Sequence, residues 1–198
     1  DDGGGGTNRK AAVSRLKTYI ESSTSTSLND LTDALVEDNS LYVGNDPSST
    51  TDTAKWNVAL GIYALNSITT GDKNTAVGYN ALYSNTTGEI NTAVGYNALS
   101  NNTSGDYNTA LGNFALQFNT TGRTNTALGY YALVKNQSGE DNTAVGASAL
   151  SNNTFGNNNT ALGYTAGTLL TTGSNNTIIG HDADPSANNA SNQIVIGK

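Results

Sequence analysis

NTAVGYNALYSNTTGEI occupies residues 74–90, and NTAVGYNALSNNTSGDY follows directly at 91–107. The second stretch repeats the first in kind and order of residue, so the chain is written in units of seventeen. One glycine marks the period: Gly44, Gly61, Gly78, Gly95, Gly112, Gly129, Gly146, Gly163, Gly180 and Gly197 follow one another at that interval without a slip. Ten residues after the first lies a second glycine, at Gly71, Gly88, Gly105, Gly122, Gly139, Gly156 and Gly173. Alanine holds that place at the ends of the array, as Ala54 and Ala190. Terminal units that drift from consensus are a mark of stacked repeats, because each has a neighbour on one side only.

Seventeen residues are too few for a helical hairpin and enough for one turn of a β-coil. Within a unit, Asn-Thr-Ala-Val-Gly alternates, placing Thr and Val on one face and Asn, Ala and Gly on the other. An apolar pair follows, as at Ala81–Leu82, Ala98–Leu99 and Ala115–Leu116, and reads as a second short strand. Turn formers such as Asn85-Thr86-Thr87-Gly88 close the unit, with a glycine able to adopt positive φ. The expected fold is therefore all-β, a parallel β-roll or β-solenoid of seventeen-residue coils over residues 40–198. At about 4.8 Å per coil, nine periods make a rod of roughly 43 Å.

In such a stack Asn74, Asn91, Asn108, Asn125, Asn142, Asn159 and Asn176 form a ladder of amides. Val77, Val94, Leu111, Leu128, Val145 and Leu162 are expected to fill the core. The small face of Ala76, Ala93, Ala110, Ala127, Ala144 and Ala161 would then admit a second backbone closely. A core of two or three aliphatic side chains per coil is thin, and packing of identical rolls about an axis, as a homotrimer, is expected to complete it.

Ahead of the repeats, residues 1–8 read as a flexible glycine-rich linker. Residues 9–39 read as a short helical, coiled-coil-like neck, with Val13, Leu16 and Ile20 and then Leu28, Leu31 and Leu35 at three-four spacing. An amphipathic helix lying on the first coil fits the same pattern. Residues 41–56 read as an irregular lead-in coil, with Pro47 and Trp56 covering the open end of the roll.

The units NTAVGYNAL, NTALGYYAL and NTAVGASAL resemble the head repeats of trimeric autotransporter adhesins, left-handed parallel β-rolls built on a shorter motif. The seventeen-residue version, led by DNSLYVGNDPSS, is still more similar to repeats in fibre proteins of tailed phages, particularly marine ones. The resemblance covers about residues 39–197. It implies a left-handed, homotrimeric fibre or adhesin module on a virion or cell surface, held to other fibre or virion proteins at its N-terminal end. Multivalent contact with a host glycan or protein would supply avidity. The turn is longer than in the adhesin heads, so their ligand contacts do not carry over. The chain begins at Asp1 and carries neither membrane anchor nor self-cleaving chaperone tail, so an excerpt of a longer protein is expected.

Composition narrows the alternatives. A formal net charge of −7 disfavours nucleic acid and anionic membrane as partners, and no apolar run is long enough to insert in a bilayer. Cysteine is absent, which rules out disulfides and thiolate metal sites. No nucleophile elbow, phosphate loop or zinc pattern occurs, and no catalytic residue, cofactor or metal is expected. The single histidine, His181, takes the slot of Tyr79, Tyr96, Tyr130 and Tyr164 and reads as a surface position. Asp182 and Asp184 open like a calcium loop, yet Ala187 and Gln193 stand where glycine and glutamate are required. Asp72, Glu89, Asp106 and Glu140 share a turn position interrupted by Arg123, and read as solvated charges. The sequons at Asn85 and Asn119 read as turn chemistry rather than glycosylation sites. Tyr79, Tyr96, Phe114, Tyr130, Tyr131 and Tyr164 form an aromatic column, either glue between subunits or a platform for sugars.

Two other functions compete with the fibre. Regular threonines (Thr75, Thr92, Thr109, Thr126, Thr143, Thr160 and Thr177) could order water on an ice-binding face. Their sharing a strand face with an expected core Val or Leu argues against that. A polysaccharide-degrading solenoid would carry long loops that build a cleft, and the array has none.

Overall fold

The computed structural model describes residues 34–37, 39–44 and 53–197. The linker, Pro47 and the neck up to residue 33 lie outside these. Eleven strands form one sheet in sequence order. Strand β1 (Ala34–Glu37) pairs antiparallel with β2 (Ser40–Val43) in a hairpin. The neck was expected to remain helical to Asn39, so its last residues are corrected to a strand. Leu35 pairs with Tyr42, and the sheet edge captures a stretch whose three-four spacing also suits a helix.

From β2 onward every pairing is parallel. The strands are β3 (Val58–Leu60), β4 (Thr75–Val77), β5 (Thr92–Val94), β6 (Thr109–Leu111), β7 (Thr126–Leu128), β8 (Thr143–Val145), β9 (Thr160–Leu162), β10 (Thr177–Ile179) and β11 (Ile194–Ile196). Each residue sits beside its equivalent one repeat away: Thr75 against Thr92, Ala76 against Ala93, Val77 against Val94. The chain is thus a parallel β-solenoid of about nine coils, seventeen residues per turn, with no helix among the described residues.

Only one strand per coil is regular. The segment after the period glycine, read as a second short strand, is instead a chain of turns with positive φ at a polar or aromatic residue and again at leucine, as at Asn97 (54°) and Leu99 (51°). Its backbone bonds point along the rod: the Leu82 N–H donates to the Ala98 carbonyl and the Leu99 N–H to that of Ala115, both at 3.0 Å. Left-handed leucine costs on the order of 1 kcal/mol. Complete burial of each of these side chains offsets that cost.

The core corrects the expected facing. Ala59, Ala76, Ala93, Ala110, Ala127, Ala144 and Ala161, with Ile178 in the last of these slots, point inward and are buried. They meet the wall formed by the Ala-Leu pairs, from Ala64–Leu65 to Ala149–Leu150. Val77, Val94, Leu111, Leu128, Val145 and Leu162, expected in the core, lie on the outer face, half-buried or exposed. The reason is room. Where the other walls supply leucine and two amides the strand contributes only a methyl group, and Ile178 fits in the same slot where Gly167 replaces the leucine. The alanine face is therefore spent inside each coil and is no contact surface for a second roll.

The period glycine makes the coil's tightest bend. Gly95 has φ of 137°, and a Cβ there would lie 2.6 Å from the carbonyl oxygen of Gly112 on the next coil. Both conditions demand glycine.

Candidate functional site

Two buried amide ladders fix where the surface residues stand. The first was legible, but it is longer than the sequence suggested: Asn57 belongs to it, Ser40 precedes it and Gln193 ends it. In each coil the Asn Oδ1 accepts the next coil's backbone N–H, as Asn91 does from Asn108 at 2.9 Å. Its Nδ2 donates to the carbonyl of the second glycine in its own coil, Asn108 to Gly122 at 2.8 Å. A second ladder runs through Asn85, Asn102, Asn119, Asn136 and Asn153, all fully buried. Asn102 Nδ2 reaches Asn85 Oδ1 at 2.7 Å and Asn119 Nδ2 reaches Asn102 Oδ1 at 2.8 Å. Both sequons read as turn chemistry fall on this ladder. Ile68 and Leu170 occupy its slot at the two ends, and Asn153 Oδ1 is left buried without a partner beside the leucine slot.

Three surfaces remain. The first is the outer face of the sheet, two parallel columns: Val58, then threonines from Thr75 to Thr177 and Ile194, beside Leu60, Val77 and their equivalents to Ile196. Leu60 is 51% exposed, Leu111 46%, Leu162 47%, Ile194 77% and Ile196 75%. Contrary to expectation, the threonines are not hidden beside a core valine, because neither side chain is inside. Thr92 and Thr160 are exposed and the other threonines half-buried. A clue existed in the sequence: the inward slot is alanine in seven successive coils, whereas the outward slot wanders between valine and leucine.

The second surface is aromatic. Tyr79 stacks on Tyr96 with ring centroids 5.3 Å apart and planes 10° from parallel. Phe114 meets Tyr96 edge-on at 5.2 Å and stacks on Tyr131 at 4.9 Å and 10°. Tyr130 stands against Tyr131 at 4.2 Å, nearly perpendicular. The hydrogen bond between these two side chains is the main cause that pushes the Tyr130 phenol above its ordinary value of 10. Tyr63, not foreseen, extends the column by an edge contact to Tyr79 at 5.8 Å. The column comprises two adjacent slots, Tyr79, Tyr96, Tyr130 and Tyr164 directly after the period glycine and Phe114 and Tyr131 one residue on. It breaks at Ala147 and Ser148 and resumes where His181 stacks on Tyr164 at 5.3 Å. His181 is a surface residue whose Nδ1 lies 3.4 Å from Asp182. Trp56 is exposed, with the Lys73 ammonium 5.3 Å above its ring.

The third surface is the acidic turn. Asp72 Oδ1 accepts the Lys55 backbone N–H at 2.7 Å, Asp106 Oδ1 that of Glu89 at 2.8 Å, and Arg123 lies 3.5 Å from Asp106. These carboxylates are bound into turn geometry and neighbour pairing. No group of three or more potential metal ligands occurs among the described residues.

No family model, no curated protein and no solved structure matches the chain.

Proposed function

We propose that the chain is a structural fibre or adhesin module of a virion or cell surface, a stiff rod acting by shape and multivalency. The observation that carries this reading is the pair of columns on the outer sheet face. A run of aliphatic side chains from Leu60 to Ile196 lies on a rigid, in-register sheet for the length of the rod. Contiguous exposed apolar patches of this extent on soluble proteins mark contact surfaces. Its flatness and regularity suit a second copy of the same surface, whose columns advance by the same step. The module is a homotrimer in this reading, with left-handed coils as in the adhesin heads it resembles, the three outer faces turned toward a common axis. The aromatic column and acidic turns are left for host glycan or protein, and the N-terminal end for other fibre proteins.

Light scattering after size exclusion tests it. The expected mass is three times the 20.4 kDa of one chain, and Val94→Asp with Leu111→Asp is expected to release folded monomers. A native chain that stays monomeric at all concentrations overturns the reading. A second function, ice binding, then takes precedence, because the threonine column lies on the outside. It predicts freezing-point hysteresis that the same two substitutions abolish.

A further inference from the structure

The aromatic column ends at a step. Phe114, Tyr131 and Ser148 hold the same slot in three successive coils. Phe114 covers one face of the Tyr131 ring at 4.9 Å. On the following coil stands Ser148, too small to cover the other. The neighbouring slots step down together: Val134 is followed by Ser151, and Lys135 by Asn152. The result is a hollow of about 300 Å³, walled by Phe118, Tyr131 and Val134 and bordered by Lys135, Ser148, Ser151 and Asn152. That is near the lower bound of ordinary small-molecule pockets, roughly 300 Å³.

We infer that this ledge binds a pyranose ring bearing one carboxylate, a uronic-acid-type unit of a surface glycan. The inference rests on the adhesin reading and names its ligand class. A pyranose has one face of C–H bonds, which are electron-poor and pack against the electron-rich face of an aromatic ring. Seated on Tyr131, it takes the place the next aromatic of the column would hold. Its edge of hydroxyls then meets Ser148, Ser151 and Asn152, which supply donors and acceptors. Lys135 gives the charge preference. Its ammonium donates to the neutral Oδ1 of Asn152 at 2.8 Å rather than to a carboxylate, and keeps two further donors. Arg123, by contrast, already faces Asp106. A nucleotide chain, which also stacks, is disfavoured by the formal net charge of −7 and by a phosphate at every residue. One ledge per chain is a weak site; copies joined in a fibre add avidity.

The test uses the full chain, with methyl β-glucuronide and methyl β-glucoside as probes, read by saturation-transfer NMR and shift titration. The two differ only in the carboxylate. The glucuronide is expected to bind in the millimolar range and at least about fivefold better than the glucoside, a modest exposed ion-pair effect. Tyr131→Asn is expected to weaken it about tenfold, the size of one aromatic stacking contact. Lys135→Asn should bring both probes to the same affinity, and Ser148→Tyr should fill the ledge and abolish binding. Each variant installs a residue already present in that slot of another coil or of its kind (Asn97, Asn152, Tyr131), so the rod is expected to remain folded by circular dichroism. No binding by the native chain, or equal binding by Tyr131→Asn, overturns the inference. Oligomeric mass is measured separately: a trimer that binds neither probe removes the ledge and keeps the fibre, whereas a monomer that binds the glucuronide removes the fibre and keeps the ledge.

Discussion

Asn74 and Asn91 stand one coil apart, and the Oδ1 of Asn74 accepts both the backbone N–H of Asn91 at 3.0 Å and its Nδ2 at 3.2 Å. Asn91 Nδ2 also donates to the Gly105 carbonyl at 2.8 Å, at the far end of its own coil. One side chain thus ties the beginning of a coil to its end and both to the coil before. In a rod whose core is mostly methyl groups and one leucine per turn, this amide replaces much of the packing that a thicker core would provide.

Replacing Asn108 with alanine leaves the buried Asn125 N–H without a partner and removes one of two amide donors from the Gly122 carbonyl, which keeps Asn119 Nδ2 at 3.0 Å. At roughly 1–3 kcal/mol for the stranded group and about 1 kcal/mol for the bond lost at Gly122, the expected loss is about 3 kcal/mol. Asn101 is exposed, and Asn101→Ala should stay within about 0.5 kcal/mol of the native chain. Urea denaturation of the two variants side by side checks this. Equal midpoints would mean that the ladder is not what holds the coils in register.

Glycine at position 95 is required twice over, by φ of 137° and by the carbonyl of Gly112 at 2.6 Å from any Cβ. Gly95→Ala is expected to cost more than about 3 kcal/mol, since the neighbouring backbone has to move as well. Gly197 has φ of 77° with nothing within 4 Å of its Cβ position. Gly197→Ala should cost only about 1 kcal/mol, the left-handed penalty alone. Thermal melts that fail to separate the two variants would refute the close-approach argument.

The turn before each amide carries a positive φ, and in Ile90 it is imposed on an exposed β-branched residue, at 56°. Asparagine holds the same slot at Asn158, Asn175 and Asn192. Asparagine tolerates this region better. Ile90→Asn is therefore expected to stabilise the rod by about 0.5–1 kcal/mol, a rise in melting temperature produced by removing an apolar side chain. A lower melting temperature would show that Ile90 makes contacts worth more than its strain.

The period, the parallel stacking and the Asn ladder were legible because they follow from repetition: identical residues at equal spacing meet when coils stack in register. Inside and outside were not, because alternation separates two faces without saying which is inward. Hydrophobicity pointed to Val94 and the structure chose Ala93, since the limit in a narrow coil is volume rather than apolar character. The same narrowness bends the Ala98–Leu99 segment through positive φ, which strand-like composition does not reveal. Strand β1 shows the opposite failing, a helical spacing overruled by pairing with β2. The Tyr131 ledge needed three coils in view at once, because it is a difference between neighbours and no unit contains it alone.

Leu111 and Leu116 lie five residues apart and separate these two kinds of position. Leu116 is fully buried and Leu111 is 46% exposed. Leu116→Ala opens a cavity at the inner wall and is expected to cost about 2–5 kcal/mol, at any protein concentration. Leu111→Ala removes no core contact, so an isolated chain should lose less than about 1 kcal/mol. If the outer faces join as proposed, its effect appears instead as a stability that falls on dilution, because association adds to apparent stability by mass action. Melting both variants across a hundredfold range of concentration distinguishes the cases. A large, concentration-independent loss for Leu111→Ala would place that leucine in the core after all and reverse the assignment of the two faces.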